Sequence, residues 1–280
     1  MRVGWIGLGK MGAPMAVHVA GAFPLLAHDR DPARVHVVPR ATAATTEDLA
    51  RADVVVTSLP DDEALEAVGA ELVPHLRSET ILVETSTVSP QASARLRARG
   101  HLLTLASPVS GSTAIAQAAA LTLFCSGPAE ALERARPVLA RFARNIYHVG
   151  DGEEARYLKL ALNHFLGSTA QIAAEALTLA RRGGVAWDVM LEVLAASPAA
   201  SPLIAHKLEP LRRRDFSPAF TIAQMARDMG LTADAAGPDA PIAALVRDAY
   251  RRQAGGGLAE LDFFAAVLEA ERRAGLGEPD

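Results

Sequence analysis

Cys125 is the only cysteine of the chain, so no internal disulfide can staple it. Its place in the apolar run Leu121-Thr122-Leu123-Phe124-Cys125 reads as a small buried hydrophobe rather than a nucleophile. Lysine is almost as scarce. Of 28 Lys and Arg residues only Lys10, Lys159 and Lys207 are lysine. Arginine therefore supplies the surface charge, and a lysine kept in such a background suits chemistry in which an ammonium must give up its proton, as guanidinium does not. Long apolar runs are missing too: the best candidates are broken by Gln117, Lys159, Asn163, Gln171 and Glu175, short of the roughly 18 residues of a membrane span. A net charge of −4 leaves no basic surplus to neutralise phosphates, which excludes charge-driven nucleic-acid binding. The eight histidines show no His-Glu-x-x-His spacing, and no metal site is implied. Met1-Arg2 and the apolar residues after it imitate a signal peptide, but Lys10 interrupts them, and a cytoplasmic protein is expected.

What the chain does have is apolar content, 50% over 280 residues, enough for two cores. Up to about residue 150, β-rich runs alternate with helix-like stretches. The runs are Val3-Ile6, Leu25-Ala27, Val54-Thr57, Thr80-Val83, Leu102-Leu105, Leu121-Phe124 and Asn145-Val149. Helix starts are expected at Thr46, at Pro60-Asp61 and at Ser89-Pro90. Such alternation predicts a Rossmann-type, doubly wound α/β domain with a mostly parallel sheet, because parallel strands need crossover helices. After Gly150 the strand signals stop, and a proline-free helix over Glu153–Arg182 predicts an all-α domain built on one long helix of about 45 Å. Further helices are expected at Val185-Ala196, Pro202-Leu208, Ala219-Ala236, Pro241-Gln253 and Leu258-Gly275, and a frayed tail at Gly277-Asp280. The domains are expected at 1–152, binding a dinucleotide, and at 153–280, serving substrate and oligomerisation. Because the long helix is apolar around most of its circumference, a homodimer or homotetramer is expected.

Gly7-Leu8-Gly9-Lys10-Met11-Gly12 follows the first strand and opens a helix, the context in which G-x-G-x-x-G signals a dinucleotide. Gly7 permits the turn, Gly9 lets backbone approach a pyrophosphate, and Gly12 allows the helix to pack on the strand. The helix N-terminus then faces the phosphates. Asp29, 17 residues after Gly12, ends the second strand where a carboxylate accepts from the adenosine ribose hydroxyls, which leans toward NAD. Arg30 beside it suits the 2′-phosphate of NADP, and Asp29-Arg30-Asp31-Pro32 also reads as a solvated turn, so both cofactors stay open.

Gly7-Leu8-Gly9-Lys10-Met11-Gly12-Ala13-Pro14-Met15-Ala16 resembles the opening of the β-hydroxyacid dehydrogenase family, which includes 3-hydroxyisobutyrate dehydrogenase and tartronate semialdehyde reductase. Met11, Pro14 and Met15 are not demanded by phosphate geometry. Leu59-Pro60, Ser86-Thr87-Val88-Ser89-Pro90, Pro108-Val109-Ser110-Gly111 and Val149-Gly150 followed by Lys159 and Asn163 match in order, so the resemblance spans nearly the whole chain. It implies Leu59, Pro60 and Thr87 on the cofactor side, Ser110 and Gly111 at a substrate carboxylate, Lys159 as catalytic acid–base and Asn163 as its support and a substrate ligand. Arg227-Asp228 stands where the family has a Lys-Asp pair, which implies Arg227 near the cofactor. The residues themselves allow a blander reading. Lys159, Asn163, Gly167, Gln171, Glu175, Thr178 and Arg182 form a polar stripe that would equally suit the solvent side of an amphipathic helix. Arg227-Asp228 and Arg212-Arg213-Arg214 would pass as solvated charges.

The chain departs from the family pattern at Ala106 and Ser112, where the substrate loop loses a carboxylate and a glycine, at Ile115 and Ala119 in place of glycines, and at Leu162 in place of an asparagine. The expected reaction is hydride transfer between NAD(P) and a small β-hydroxy acid or its semialdehyde, the partner being a small carboxylate-bearing substrate. The alternatives are reduction of a related aldehyde or imine in a remodelled pocket, and a cofactor-binding module without turnover. Imine reductases share the fold but usually lack this lysine.

Overall fold

Val3–Ile6, Val54–Thr57 and Ile81–Glu84 are runs of four in which every residue is buried, the pattern of strands covered on both faces. They are β1, β4 and β5 of the chain, here described from a computed structural model covering residues 1–100 and 103–277. The first residue of the run expected from Leu102 and the last three of the expected tail lie outside the described residues. The chain divides into two compact units, Met1–Lys159 and Leu160–Asp280.

In the first unit, β1 leads to α1 (Gly12–Ala20), β2 (Leu25–His28), a 3₁₀ turn at Pro32–Val37, β3 (Ala41–Ala43) and α2 (Thr46–Leu49). After β4 come α3 (Asp62–Leu72), β5, α4 (Pro90–Arg97), β6 (Thr104–Ala106), β7 (Val109–Ser110), α5 (Thr113–Gln117), β8 (Leu121–Ser126), α6 (Ala129–Leu139), β9 (Ala143–Gly150) and the start of α7 (Glu154–Arg182). The strands form one nine-stranded sheet in the order β3-β2-β1-β4-β5-β6-β8-β7, with β9 paired to β8. Pairing is parallel throughout except where β8 meets β6 and β7. The run 3-2-1-4-5-6 is the doubly wound order, whose switch point lies between β1 and β4. Ligands of such sheets bind beyond the carboxyl ends of the strands at that point.

The expected helix starts hold with one adjustment. Asp61 and Ser89 cap α3 and α4 through their side chains, whereas Thr45 rather than Thr46 caps α2, because Thr45 and Asp48 form a reciprocal capping box. Cys125 is fully buried in β8, and burial pushes its thiol up to about 11.

The second unit continues α7 and adds α8 (Trp187–Ala196), α9 (Pro202–Arg212), α10 (Ile222–Ala236), α11 (Pro241–Gln253) and α12 (Ala266–Arg273). Its core gathers Leu177, Trp187, Leu191, Met225, Met229 and Tyr250. Helix α9 runs four residues past the expected Leu208, through Pro210. Burial of Leu211 and a hydrogen bond from Trp187 Nε1 to its carbonyl at 3.2 Å hold that last turn. The helix expected over Leu258–Gly275 is shortened to α12, because Asp262 caps a separate turn at Phe263–Ala265 and takes both contacts of Lys207 Nζ, at 2.7 and 2.8 Å.

Two bland readings hold only in part, Arg213 being the solvated member of its arginine run at 73% exposure. Arg214 is not a solvated charge: it bonds Glu271 at 2.6 and 3.0 Å and stacks on Trp187 and Phe216. Nor is the polar stripe of α7 a continuous solvent side: Glu175 and Arg182 are exposed, but Asn163, Gly167 and Thr178 are buried and Gln171 exchanges hydrogen bonds with Gln253. The side left open is apolar instead, with Phe165, Ile172 and Leu179 exposed to 70, 66 and 71%. Among the described residues no helix is long and apolar enough to cross a membrane.

Candidate active site

Gly7 follows β1 with φ +92°, a region open to glycine and strained for other residues, and a Cβ there would stand 2.2 Å from the Ser58 carbonyl oxygen. Gly12 opens α1 so close to the strand that a Cβ would lie 2.1 Å from the Gly7 oxygen. A Cβ on Gly9, by contrast, would meet only Arg34 Nη1, at 3.9 Å. Each glycine thus does what the motif requires: two make the tight crossing and the middle one leaves backbone exposed to a ligand. The cradle fits a dinucleotide pyrophosphate at the N-terminus of α1. Lys10 is exposed at its rim and Met11 half-buried, with Leu8 turned inward.

Asp29 follows β2 and is 8% exposed. Its two oxygens accept from the backbone N–H of Leu8 at 2.7 Å and of Asp31 at 2.9 Å, so the carboxylate is tied to the glycine loop itself. Arg30 is exposed. The guanidinium nearer the loop is that of Arg34, on the 3₁₀ turn, 4.0 Å from Asp29 Oδ2. Sequence reasoning passed over Arg34; its signal is the Pro32-initiated turn, which returns the fifth residue after Asp29 to the loop. Across the switch point, the Leu59 N–H donates to Ser86 Oγ at 2.7 Å. The turns carrying Leu59-Pro60 and Ser86-Thr87 are thereby joined side by side at the carboxyl ends of β4 and β5.

Ser110 lies half-buried at the end of β7, paired with Thr122 of β8. Gly111 follows with φ +140°, where a Cβ would approach Leu121 Cδ2 to 2.7 Å. That turn admits glycine alone, and Ser112 then caps the five-residue α5.

Within the first unit, the start of α7 packs through Ala155 and Leu158 against Ala106 and Phe124. Lys159 is half-buried in its second turn. Asn163, one turn on, is 3% exposed and donates from Nδ2 to Asp228 Oδ2 at 2.7 Å. A carboxylate only accepts, so this contact fixes which edge of the amide faces it. Arg227 grips the other oxygen of Asp228 at 2.8 and 3.1 Å. Asp228 is 1% exposed whereas the Arg227 side chain is 40% exposed, so the pair is solvated on the arginine side alone. The second unit thus joins Asn163, Asp228 and Arg227 in one cluster, of which the sequence reading named two as ligands and left Asp228 unassigned.

A doubly wound sheet with a glycine cradle at its switch point defines a dinucleotide-binding unit. Residues 2–150 match the family model for the NAD binding domain of 6-phosphogluconate dehydrogenase, and residues 153–269 that described as NAD-binding of NADP-dependent 3-hydroxyisobutyrate dehydrogenase. The NAD-dependent L-serine dehydrogenase of Pseudomonas aeruginosa is 33% identical, over 94% of this chain and 95% of that one. The 2-(hydroxymethyl)glutarate dehydrogenase of Eubacterium barkeri is 28% identical, over 99% and 97%. A solved structure of Mycobacterium tuberculosis 3-hydroxyisobutyrate dehydrogenase with L-serine superposes with a TM-score of 0.88 at 30% identity, covering 96% of this chain and 98% of that one. The chain belongs to the β-hydroxyacid dehydrogenase family. It is an NAD(P)-dependent oxidoreductase acting on CH–OH groups.

Proposed function

We propose that the chain oxidises the β-hydroxyl carbon of a small hydroxy acid to a semialdehyde, reversibly, with Lys159 as general acid–base. The observation that carries this reading is Lys159 standing half-buried one turn before the buried, Asp228-locked Asn163. In the forward direction the Lys159 amine takes the hydroxyl proton, and the C–H electron pair leaves the same carbon as hydride. The chemistry a bound oxidised nicotinamide would supply is that of a hydride acceptor. In reverse, the ammonium of Lys159 protonates the carbonyl oxygen. Asn163 holds the hydroxyl through the amide edge turned from Asp228, while the Ser110 hydroxyl and the backbone after Gly111 take the carboxylate. Gly7 to Gly12, Leu59, Pro60, Thr87 and Arg227 hold the cofactor.

The substrates named for the relatives suggest the class. L-Serine, 3-hydroxyisobutyrate and 2-(hydroxymethyl)glutarate share the core HOCH2–CHR–COO⁻ and differ only in R. Steady-state nicotinamide absorbance with a panel of such acids, each with both cofactors, tests the reading. Turnover of one or more members is expected; turnover of none, by protein that binds the cofactor, would overturn it.

NAD is the expected cofactor, because the Asp29 carboxylate repels a 2′-phosphate more than the exposed Arg30 and Arg34 attract it. Asp29→Asn keeps an oxygen for the Leu8 N–H and removes the charge, and is expected to improve NADP relative to NAD by about tenfold in Kd. Calorimetric titrations check this, and tighter binding of NADP by the parent would contradict the preference.

The exposed stripe Phe165, Ile172 and Leu179 repeats every seven residues along α7, too much apolar surface to leave in water. Its occupant on this reading is a second copy of the chain, in a homodimer or homotetramer. Light scattering is expected to give a multiple of 29.4 kDa at micromolar concentration, and the monomer mass would contradict it. The need for an NAD(P) pool favours action in the cytoplasm.

A further inference from the structure

Arg156 precedes Lys159 by three residues, and its side chain is 1% exposed. Its Nε donates to Ser93 Oγ at 3.2 Å and Nη1 to the Ser86 carbonyl at 2.6 Å. Nη2 reaches the Glu84 carbonyl at 3.4 Å and forms an ion pair with the Glu84 carboxylate, also 1% exposed. Glu84 Oε1 in turn accepts the Ser86 N–H at 2.7 Å, and Ser86 Oγ accepts the Leu59 N–H at 2.7 Å. One buried chain of contacts therefore runs from the first turn of α7 to the carboxyl ends of β5 and β4, where Leu59, Pro60 and Thr87 stand. Three residues along a helix return to the same face about 4.5 Å further up the axis. Lys159 thus rises directly from the clamped turn.

Firm packing alone does not call for this arrangement. A buried ion pair seldom stabilises more than apolar side chains of the same shape, since desolvating both charges offsets their attraction. What a guanidinium adds is a planar fork that fixes direction and distance at once. We propose that Arg156, locked to Glu84, is a positioning residue for Lys159. It sets where the Lys159 amine stands relative to the loops after β4 and β5. The proposal rests on the reading of Lys159 as the acid–base group.

The test compares Arg156→Lys, the double variant Arg156→Met with Glu84→Met, and Lys159→Arg, each as the full chain with the best acid of the panel. Thermal unfolding, cofactor Kd, kcat, KM and the pH profile of kcat are measured. The double methionine variant replaces the pair by apolar bulk, and is expected to melt near the parent and to bind cofactor within a few-fold. Its kcat is expected to fall on the order of 10²-fold, as a misplacement of about 1 Å does. KM should change less than kcat, and the midpoint of the pH profile should move. Arg156→Lys keeps the charge without the fork and is expected to fall between the two. A double variant with the parent's kcat and pH profile would overturn the proposal. Should that variant fail to fold, Arg156→Lys with unchanged kcat and pH profile would overturn it equally. Lys159→Arg separates the two claims: if it keeps turnover, the acid–base reading falls, whereas an inactive Lys159→Arg beside a fully active double variant sinks the positioning role alone.

Discussion

Lys159→Arg is expected to lower turnover by about 10²–10⁴-fold, the range that general acid–base assistance supplies, while cofactor affinity stays within a few-fold. Arginine keeps the charge and roughly the reach of lysine but cannot give up a proton near neutral pH. Lys159 is half-buried, so the larger head has room and folding should survive. Lys159→Met should be equally inactive, because it removes the proton carrier and leaves an apolar chain that suits a helix. Asn163→Ala should cost less, since it frees Asp228 from one contact at 2.7 Å and disturbs orientation, but keeps the amine. Stopped-flow nicotinamide absorbance reads hydride transfer, and fluorescence titration reads cofactor binding. Turnover of all three variants within a few-fold of the parent would remove Lys159 from the chemistry.

Lys207→Met is expected to leave the chemistry alone and cost about 3–5 kcal/mol of stability, because removing one partner of a buried pair strands the other charge. Lys207 is 6% and Asp262 3% exposed. Their contacts of 2.7 and 2.8 Å lie beside Phe263 and Phe264, whose ring centroids are 5.1 and 5.5 Å from Nζ. Asp262 also accepts the N–H groups of Ala219 and Phe264, so its displacement would loosen two turns together. Denaturant titration is the check. A loss below about 1 kcal/mol, the scale of an exposed pair, would mean that the pair holds nothing. Scarcity alone singled out all three lysines, and the burial of Lys207 against Asp262 identifies that one as structural.

The sequence made the glycine loop legible because three glycines between a strand and a helix answer to one geometry. The central strands were legible because continuous apolar runs bounded by turn residues have few other uses. Strands β3 and β7 were not. Ala41-Thr42-Ala43 carries no apolar signal and is held by its register with β2, and the two residues of β7 exist through pairing with β8. Within the candidate site, the placement of Lys159 and Asn163 one turn apart on a single helix could be read from their spacing. Asp228 could not be assigned, since a carboxylate on a helix looks solvated until the fold buries it. Arg156 and Glu84 lie 72 residues apart and carry no local pattern, so only the three-dimensional structure joins them. Arg34 was missed for a subtler reason: a turn after Pro32 reads as solvent-facing, and its return to Gly9 depends on where the 3₁₀ turn stops.

The central claim is that hydride leaves the β-hydroxyl carbon of a small hydroxy acid for the nicotinamide. Its most direct measurement uses 3-hydroxyisobutyrate or L-serine carrying deuterium on the hydroxymethyl carbon, incubated with the parent chain and each oxidised cofactor, with mass spectrometry of the reduced nicotinamide. With both hydrogens of that carbon replaced, the account predicts one deuterium in the reduced cofactor for each semialdehyde formed, and label transfer about 10²–10⁴-fold slower with Lys159→Arg. Oxidation that leaves the reduced cofactor unlabelled, or label transfer at the parent's rate by Lys159→Arg, would contradict it.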